Sequence, residues 1–190
     1  MKSVLFTLCL FISVTVSEIS VLSIKIGAPK TSLEKIKLEK VADDGDMVKY
    51  RTQNGNDFSV TTENGKVVFM ENDWLQDPKG TQPLLPGLTF GKTTLRDIRQ
   101  KFGTNGFVHN HASHMETETH LIMLNCFEFD SPNNEILVTI TKVAKNANVT
   151  EATVAQELKL DAVIIADKSY LDKIWGEEKT FDPNNKKIKL

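Results

Sequence analysis

Two Asn-Gly pairs, Asn54-Gly55 and Asn64-Gly65, each stand between runs of β-prone residues. Asn and Gly accept the positive φ of tight hairpin turns, so such a pair between strands specifies an antiparallel connection. Met47-Val48-Lys49-Tyr50-Arg51-Thr52 precedes the first pair, Phe58-Ser59-Val60-Thr61-Thr62 lies between the two, and Val67-Val68-Phe69-Met70 follows the second. Leu33 to Val41, with Ile36, Leu38 and Val41 set among lysines and glutamates, extends the pattern upstream. Residues 30–72 therefore read as a β-meander, and the mixing of apolar with charged side chains turns one sheet face to water.

Residues 73–90 break the pattern with Pro78, Gly80, Pro83 and Pro86-Gly87. Proline and glycine at that density argue for a connector, and this is the place to divide two subdomains. Thr93 to Phe102 reads as a helix, because Leu95, Ile98 and Phe102 fall at i, i+3 and i+7 on one stripe. Thr94 with Asp97 resembles a capping pair, and Gly103 is a stop signal. Arg96, Arg99 and Lys101 lie off the stripe and are expected in solvent. Leu121–Phe129 and Ile136–Val143 flank a turn-rich loop and read as an antiparallel pair. Val154 and Leu158 suit a short helix, Leu160–Ala166 a strand or buried helix, and Asp167–Trp175 a helix burying Tyr170, Leu171, Ile174 and Trp175. From Phe181 onward the chain is expected to be irregular. The fold class is thus α+β: an antiparallel sheet with a few packed helices, in one body or two sequential subdomains. The parts are a meander in 18–72, the connector 73–90, and a helix, sheet and C-terminal helix in 91–190.

The first seventeen residues say where the protein goes. Met1-Lys2 is followed by the uncharged run Val4–Val16, and Thr15 and Ser17 offer small residues for cleavage before Glu18. That is the layout of a secretory signal peptide. An uncleaved anchor would need about 20 apolar residues, and extending the run to Ile24 crosses Glu18. The expectation is an exported protein, periplasmic or secreted, with no membrane span after cleavage.

Net charge is −2 for the whole chain. No basic excess is available to neutralise a nucleic-acid backbone, so nucleic acid is not an expected partner. Lys186, Lys187 and Lys189 read as a solvated tail. Of the two cysteines, Cys9 belongs to the leader, and Cys126 sits in an apolar stretch where a buried thiol acts as a small hydrophobe. No G-x-S-x-G elbow, Walker loop or G-x-G-x-x-G occurs.

The segment from Pro86 to Gly103 (PGLTFGKTTLRDIRQKFG) resembles a pattern of the SmpA/OmlA lipoproteins and related domains with the β-lactamase-inhibitor-protein fold. In those exported bacterial domains a glycine and a threonine open a helix that ends in Leu/Phe-Gly before an antiparallel sheet. Gly91, Thr93, Ile98, Phe102 and Gly103 match, and the likeness extends over about residues 86–143. The lipidated cysteine of those proteins is missing, and Thr104-Asn105-Gly106 replaces the proline that often follows the final glycine. The resemblance implies a small α+β module that binds other envelope proteins and carries no catalytic residues.

All four histidines fall in HNHASHMETETH, residues 109–120. Imidazole and carboxylate together suit zinc or copper. If Ala112–Met115 turns the chain, His111 comes opposite Glu116 and His109 opposite Glu118, a two-histidine, two-carboxylate patch across a hairpin. The plainer alternative is ordinary cross-strand polar pairing on a wet sheet face. Two functional readings follow: a non-catalytic exported protein that binds an envelope partner, or a periplasmic metal-binding protein using His109, His111, Glu116 and Glu118. A secreted hydrolase would need a cleft holding Cys126 or paired carboxylates.

Overall fold

The computed structural model describes residues 22–131, 133–147 and 149–189. The leader and its cleavage site lie outside these residues.

The meander forms as its turns require. Strands β1 (Glu39–Asp43), β2 (Met47–Arg51), β3 (Asp57–Glu63) and β4 (Lys66–Asp73) pair in order, all antiparallel. The two Asn-Gly pairs work differently. Asn64 (φ 51°) and Gly65 (φ 71°) are both left-handed, the two-residue turn whose twist matches its strands. At the first turn only Gly55 is left-handed (φ 82°), and Thr52 N–H donates to Asn56 O at 2.8 Å to close a three-residue loop. Upstream, Lys30–Lys35 forms a 3-10 turn where the sequence suggested strand, and Val41 is exposed on the edge strand β1.

Residues 74–94 hold no strand or α-helix, only the 3-10 turn Pro78–Gly80. They fold back over the sheet: Leu85, Leu88 and Phe90 are buried in the core, and Trp74 stacks on Phe90 with centroids 6.3 Å apart. Helix α1 (Leu95–Phe102) starts at Thr94, whose side chain accepts from Asp97 N–H while the Asp97 carboxylate accepts from Thr94 N–H. It ends at Gly103, left-handed at φ 63°. Leu95 and Ile98 are buried, and Phe102 meets Phe127 at 5.1 Å between centroids.

The remaining elements are β5 (Phe107–His109), β6 (His114–Glu116), β7 (His120–Glu128), β8 (Glu135–Ala144), α2 (Val154–Glu157), β9 (Lys159–Asp167), α3 (Lys168–Trp175) and β10 (Lys179–Phe181). One antiparallel sheet joins all ten strands in the order β1-β2-β3-β4-β9-β8-β7-β5-β10, with β6 also on β7. The fold is α+β and mostly sheet. The β4–β9 ladder, from Phe69↔Ala166 to Asp73↔Ala162, carries the sheet across the connector.

Alternation along the strands makes two apolar layers. One face carries Tyr50, Phe58, Val60, Met70, Leu137 and Ile165 beneath the N-terminal arm, the connector and α1. On the other, α3 covers Ile136, Val138 and Ile164 with Leu171 and Trp175. Asp167 caps α3 by accepting from Tyr170 N–H. Ile174, expected inward, is exposed, because it falls on the solvent side of this two-turn helix. The tail is not irregular throughout. β10 pairs with β5, and Ile188 is buried beside Phe129, its N–H donating to Glu128 O at 2.8 Å. Among the described residues no helix is long and apolar enough to cross a membrane.

Candidate functional site

The histidine hairpin expected from sequence does not form. The chain turns at Thr117–Thr119 rather than Ala112–Met115, because Thr117 Oγ1 accepts from the N–H groups of Thr119 and His120. β5 and β6 therefore lie in series along one edge of β7, with Phe107↔Cys126 and His114↔Met123 in register. The four residues separate. His109 is buried, 1% exposed; His111 is exposed with Nε2 3.9 Å from Glu178; Glu116 pairs with Lys145 at 2.9 Å; Glu118 is exposed in the turn. No group of three or more His, Cys, Asp or Glu among the described residues is placed to hold a metal ion.

His109 is instead the centre of a sealed polar cluster. Its Nδ1 lies 2.9 Å from Gly176 O. A carbonyl only accepts, so Nδ1 carries the proton and Nε2 is the lone-pair nitrogen. Nε2 points toward Asp172 at 4.0 Å and has no hydrogen-bond partner among the described residues. The ring sits between Phe107 and Trp175, with centroids at 5.8 and 5.6 Å. Burial, reinforced by Lys179 and Lys168, holds its pKa below the usual histidine value, against the Gly176 carbonyl and Asp172. The imidazole is thus neutral at pH 7. Asp172 accepts from Lys168 at 2.8 Å and from Lys179, whose side chain is also buried. Burial alone would raise the Asp172 carboxyl, but the two lysines outweigh it and the net shift is downward.

Cys126 lies beside this cluster, buried on β7, and burial pushes its thiol up to about 12. A thiol so disfavoured from ionising is no nucleophile at neutral pH. His109 and Cys126, the groups with most chemistry to offer, are both closed off from solvent.

Sequence reasoning missed a second titratable group. Glu71 and Asp73 point the same way from β4, and Asp73 sits directly opposite Asp57 on β3. Lys49 and Arg51 balance Asp57 at 3.2 and 3.0 Å. Burial, then Asp73, raises the Glu71 carboxyl to about 7, and Asp73 is also raised. The alternating pattern of β4 placed both on one face, but not against Asp57.

Two open grooves flank α2. On one side, about 640 Å³ is bordered by Arg96, Arg99, Asn105, Ala155 and Lys186. Arg99 is not a solvent arginine as expected: it is half-buried and its Nε donates to Asn125 Oδ1 at 3.0 Å. On the other side, a groove of about 470 Å³ is lined by Leu121, Val143, Ala147, Val149 and Val154, with Glu116 and Lys145 at its rim. It runs on past Val143 and Ala147 to Trp74. The surface against α1 itself is thus basic, and the apolar groove lies one element away.

No protein-family model and no curated protein matches the chain. Among solved structures it is similar to an extracellular protein containing an SCP domain from Bacillus anthracis, at 13% identity and TM-score 0.44, covering 87% of this chain and 51% of that one. It is likewise similar to a cysteine-rich secretory protein from Staphylococcus aureus, at 12% identity and TM-score 0.44, covering 86% and 51%. The chain spans about half the length of both, and likeness at this level carries neither fold nor function across.

Proposed function

We propose that the chain is an exported, non-catalytic protein that binds another protein of the envelope through the surface around α2. The observation that carries this reading is the pair of grooves on either side of that helix, apolar beside Val154 and basic beside Ala155. An apolar trough with charged residues at its rim is the composition of a protein-binding patch. The burial of His109 and Cys126 supports a role without covalent or acid–base chemistry. The Gly91–Gly103 segment, which resembles the envelope-binding SmpA/OmlA modules, supplies one wall of the basic groove. Export rests on the leader pattern of residues 1–17.

Site-specific photo-cross-linking in the native envelope tests the reading. A cross-linker at Gln100 or Val149 should give the same discrete adduct, and Val154→Asp should abolish it. The same adduct from Lys66, on the far turn of the meander, or none from either groove, would overturn it. N-terminal sequencing of the exported protein should begin at Glu18.

A further inference from the structure

We propose that the groove at the C-terminal end of α1 is a binding site for an oxyanion, a carboxylate or a phosphate, held by the guanidinium of Arg99 between Arg96 and Lys186. The argument begins with Asn125, which is 2% exposed on β7. Its amide donates to Asn105 O at 2.9 Å and Phe107 O at 3.3 Å, so its Oδ1 is fixed. Arg99 Nε is bound to that oxygen. One edge of the guanidinium is thereby locked, while Arg99 lines the groove and its terminal nitrogens have no hydrogen-bond partner among the described residues.

A partly desolvated guanidinium with a free planar edge is matched by the two oxygens of a carboxylate or phosphate. The walls are set beforehand. Thr104 Oγ1 donates to Asn184 O and accepts from Lys186 N–H, tying the C-terminal segment to the turn after α1. Lys186 Nζ lies over that turn, 3.2 Å from where a Gly103 Cβ would stand. The acid that faces Arg99 is Asp182, whose carboxylate is engaged by the Asn105 side-chain amide and Asn184 N–H. Asp97 in turn faces Arg96. The lining itself carries three cations, Arg96, Arg99 and Lys186, and no carboxylate, which leaves the groove positive. The α1 dipole opposes an anion at this end, so the attraction comes from the side chains. The anion site shares the basic groove with the proposed protein-binding surface but does not need the apolar groove, and its titration can succeed where the envelope cross-linking fails.

The test is an NMR titration at constant ionic strength with two probes, inorganic phosphate and an N-acetylated, C-amidated Glu-Glu dipeptide. Saturable shifts are expected at the Gly103 and Asn105 backbone amides and at the side-chain amides of Gln100, Asn105 and Asn184. Arg99→Ala should weaken binding at least tenfold. That variant leaves Asn125 Oδ1 unpaired, so the double change Arg96→Gln/Lys186→Gln, which alters only exposed groups, is measured beside it. It too should weaken binding at least tenfold, while Lys187→Gln, one residue away and outside the groove, leaves it unchanged. Tighter phosphate binding identifies a free phosphate as the occupant; tighter dipeptide binding identifies an acidic segment. No saturation with either probe, or equal weakening by Lys187→Gln, overturns the proposal.

Discussion

Glu71 makes the stability of this fold depend on pH, in a direction opposite to that of most carboxylates. In the unfolded chain its pKa is near 4.5; in the sheet, burial and the neighbouring Asp73 raise it to about 7. The folded state therefore holds a proton that the unfolded chain has already released, and this contribution to stability is lost as pH rises from about 4.5 through 7. A shift of this size corresponds to about 3.5 kcal/mol at most, at about 1.4 kcal/mol per unit. The attraction of Lys49 is already contained in that raised value. Because Glu71 is only partly buried, solvent screening reduces the contribution, and about 2 kcal/mol is expected at pH 8. Glu71→Gln mimics the protonated acid. It should match the wild type to within about 0.5 kcal/mol at pH 5 and exceed it by about 2 kcal/mol at pH 8, roughly 4–8 °C in Tm for a domain this size. Urea unfolding at pH 5, 6.5 and 8, followed by tryptophan fluorescence, measures the gap. Taking the difference between the two proteins cancels the opposing slope from His109, which loses stability as pH falls below its unfolded value. A gap that does not change with pH, or a variant less stable than wild type at pH 8, would refute the reasoning.

Gly106 has φ +71°, and a Cβ there would stand 2.1 Å from the carbonyl oxygen of Cys126, so Gly106→Ala should cost more than about 3 kcal/mol in thermal or urea unfolding. Gly27→Ala, left-handed but in open space, should cost about 1 kcal/mol and serves as its control. Thr94→Ala removes the hydroxyl that accepts from Asp97 N–H and donates to the Asp97 carboxylate, while the backbone bond from Thr94 N–H to that carboxylate remains; it should lower stability by about 1 kcal/mol without changing the near-UV spectrum. Cys126 should resist a disulfide reagent at pH 8 in the folded protein and react fully in denaturant; rapid reaction of the native protein would mean that its pocket opens.

What the sequence made legible was local. The Asn-Gly turns, the Thr94–Gly103 helix signals and the paired runs 121–129 and 136–143 each hold their pattern within a few residues, and each became the expected element. β10 is three residues with no pattern of its own, and it forms because β5 offers an edge. The histidine segment failed for the same reason in reverse. Its ligand-like spacing was real, but His109 is claimed by Gly176, and by Trp175 packed beside it, more than sixty residues away. No local pattern announces a carbonyl that distant.

The long-range closures that bury His109 also make the basic groove. β10 pairs with β5 to seal the imidazole, and the chain then runs on to Thr104, whose hydroxyl fixes Asn184 and Lys186 against the end of α1. Lys186 thus stops being a tail lysine and becomes a wall residue, and Arg99 stops being an exposed helix charge once Asn125 holds its Nε. Read locally, both residues are solvated charges; read in the fold, they converge on one concavity. The place to look for this protein's function accordingly moves from His109, which the fold uses to close itself, to the charges that the same closure leaves facing outward.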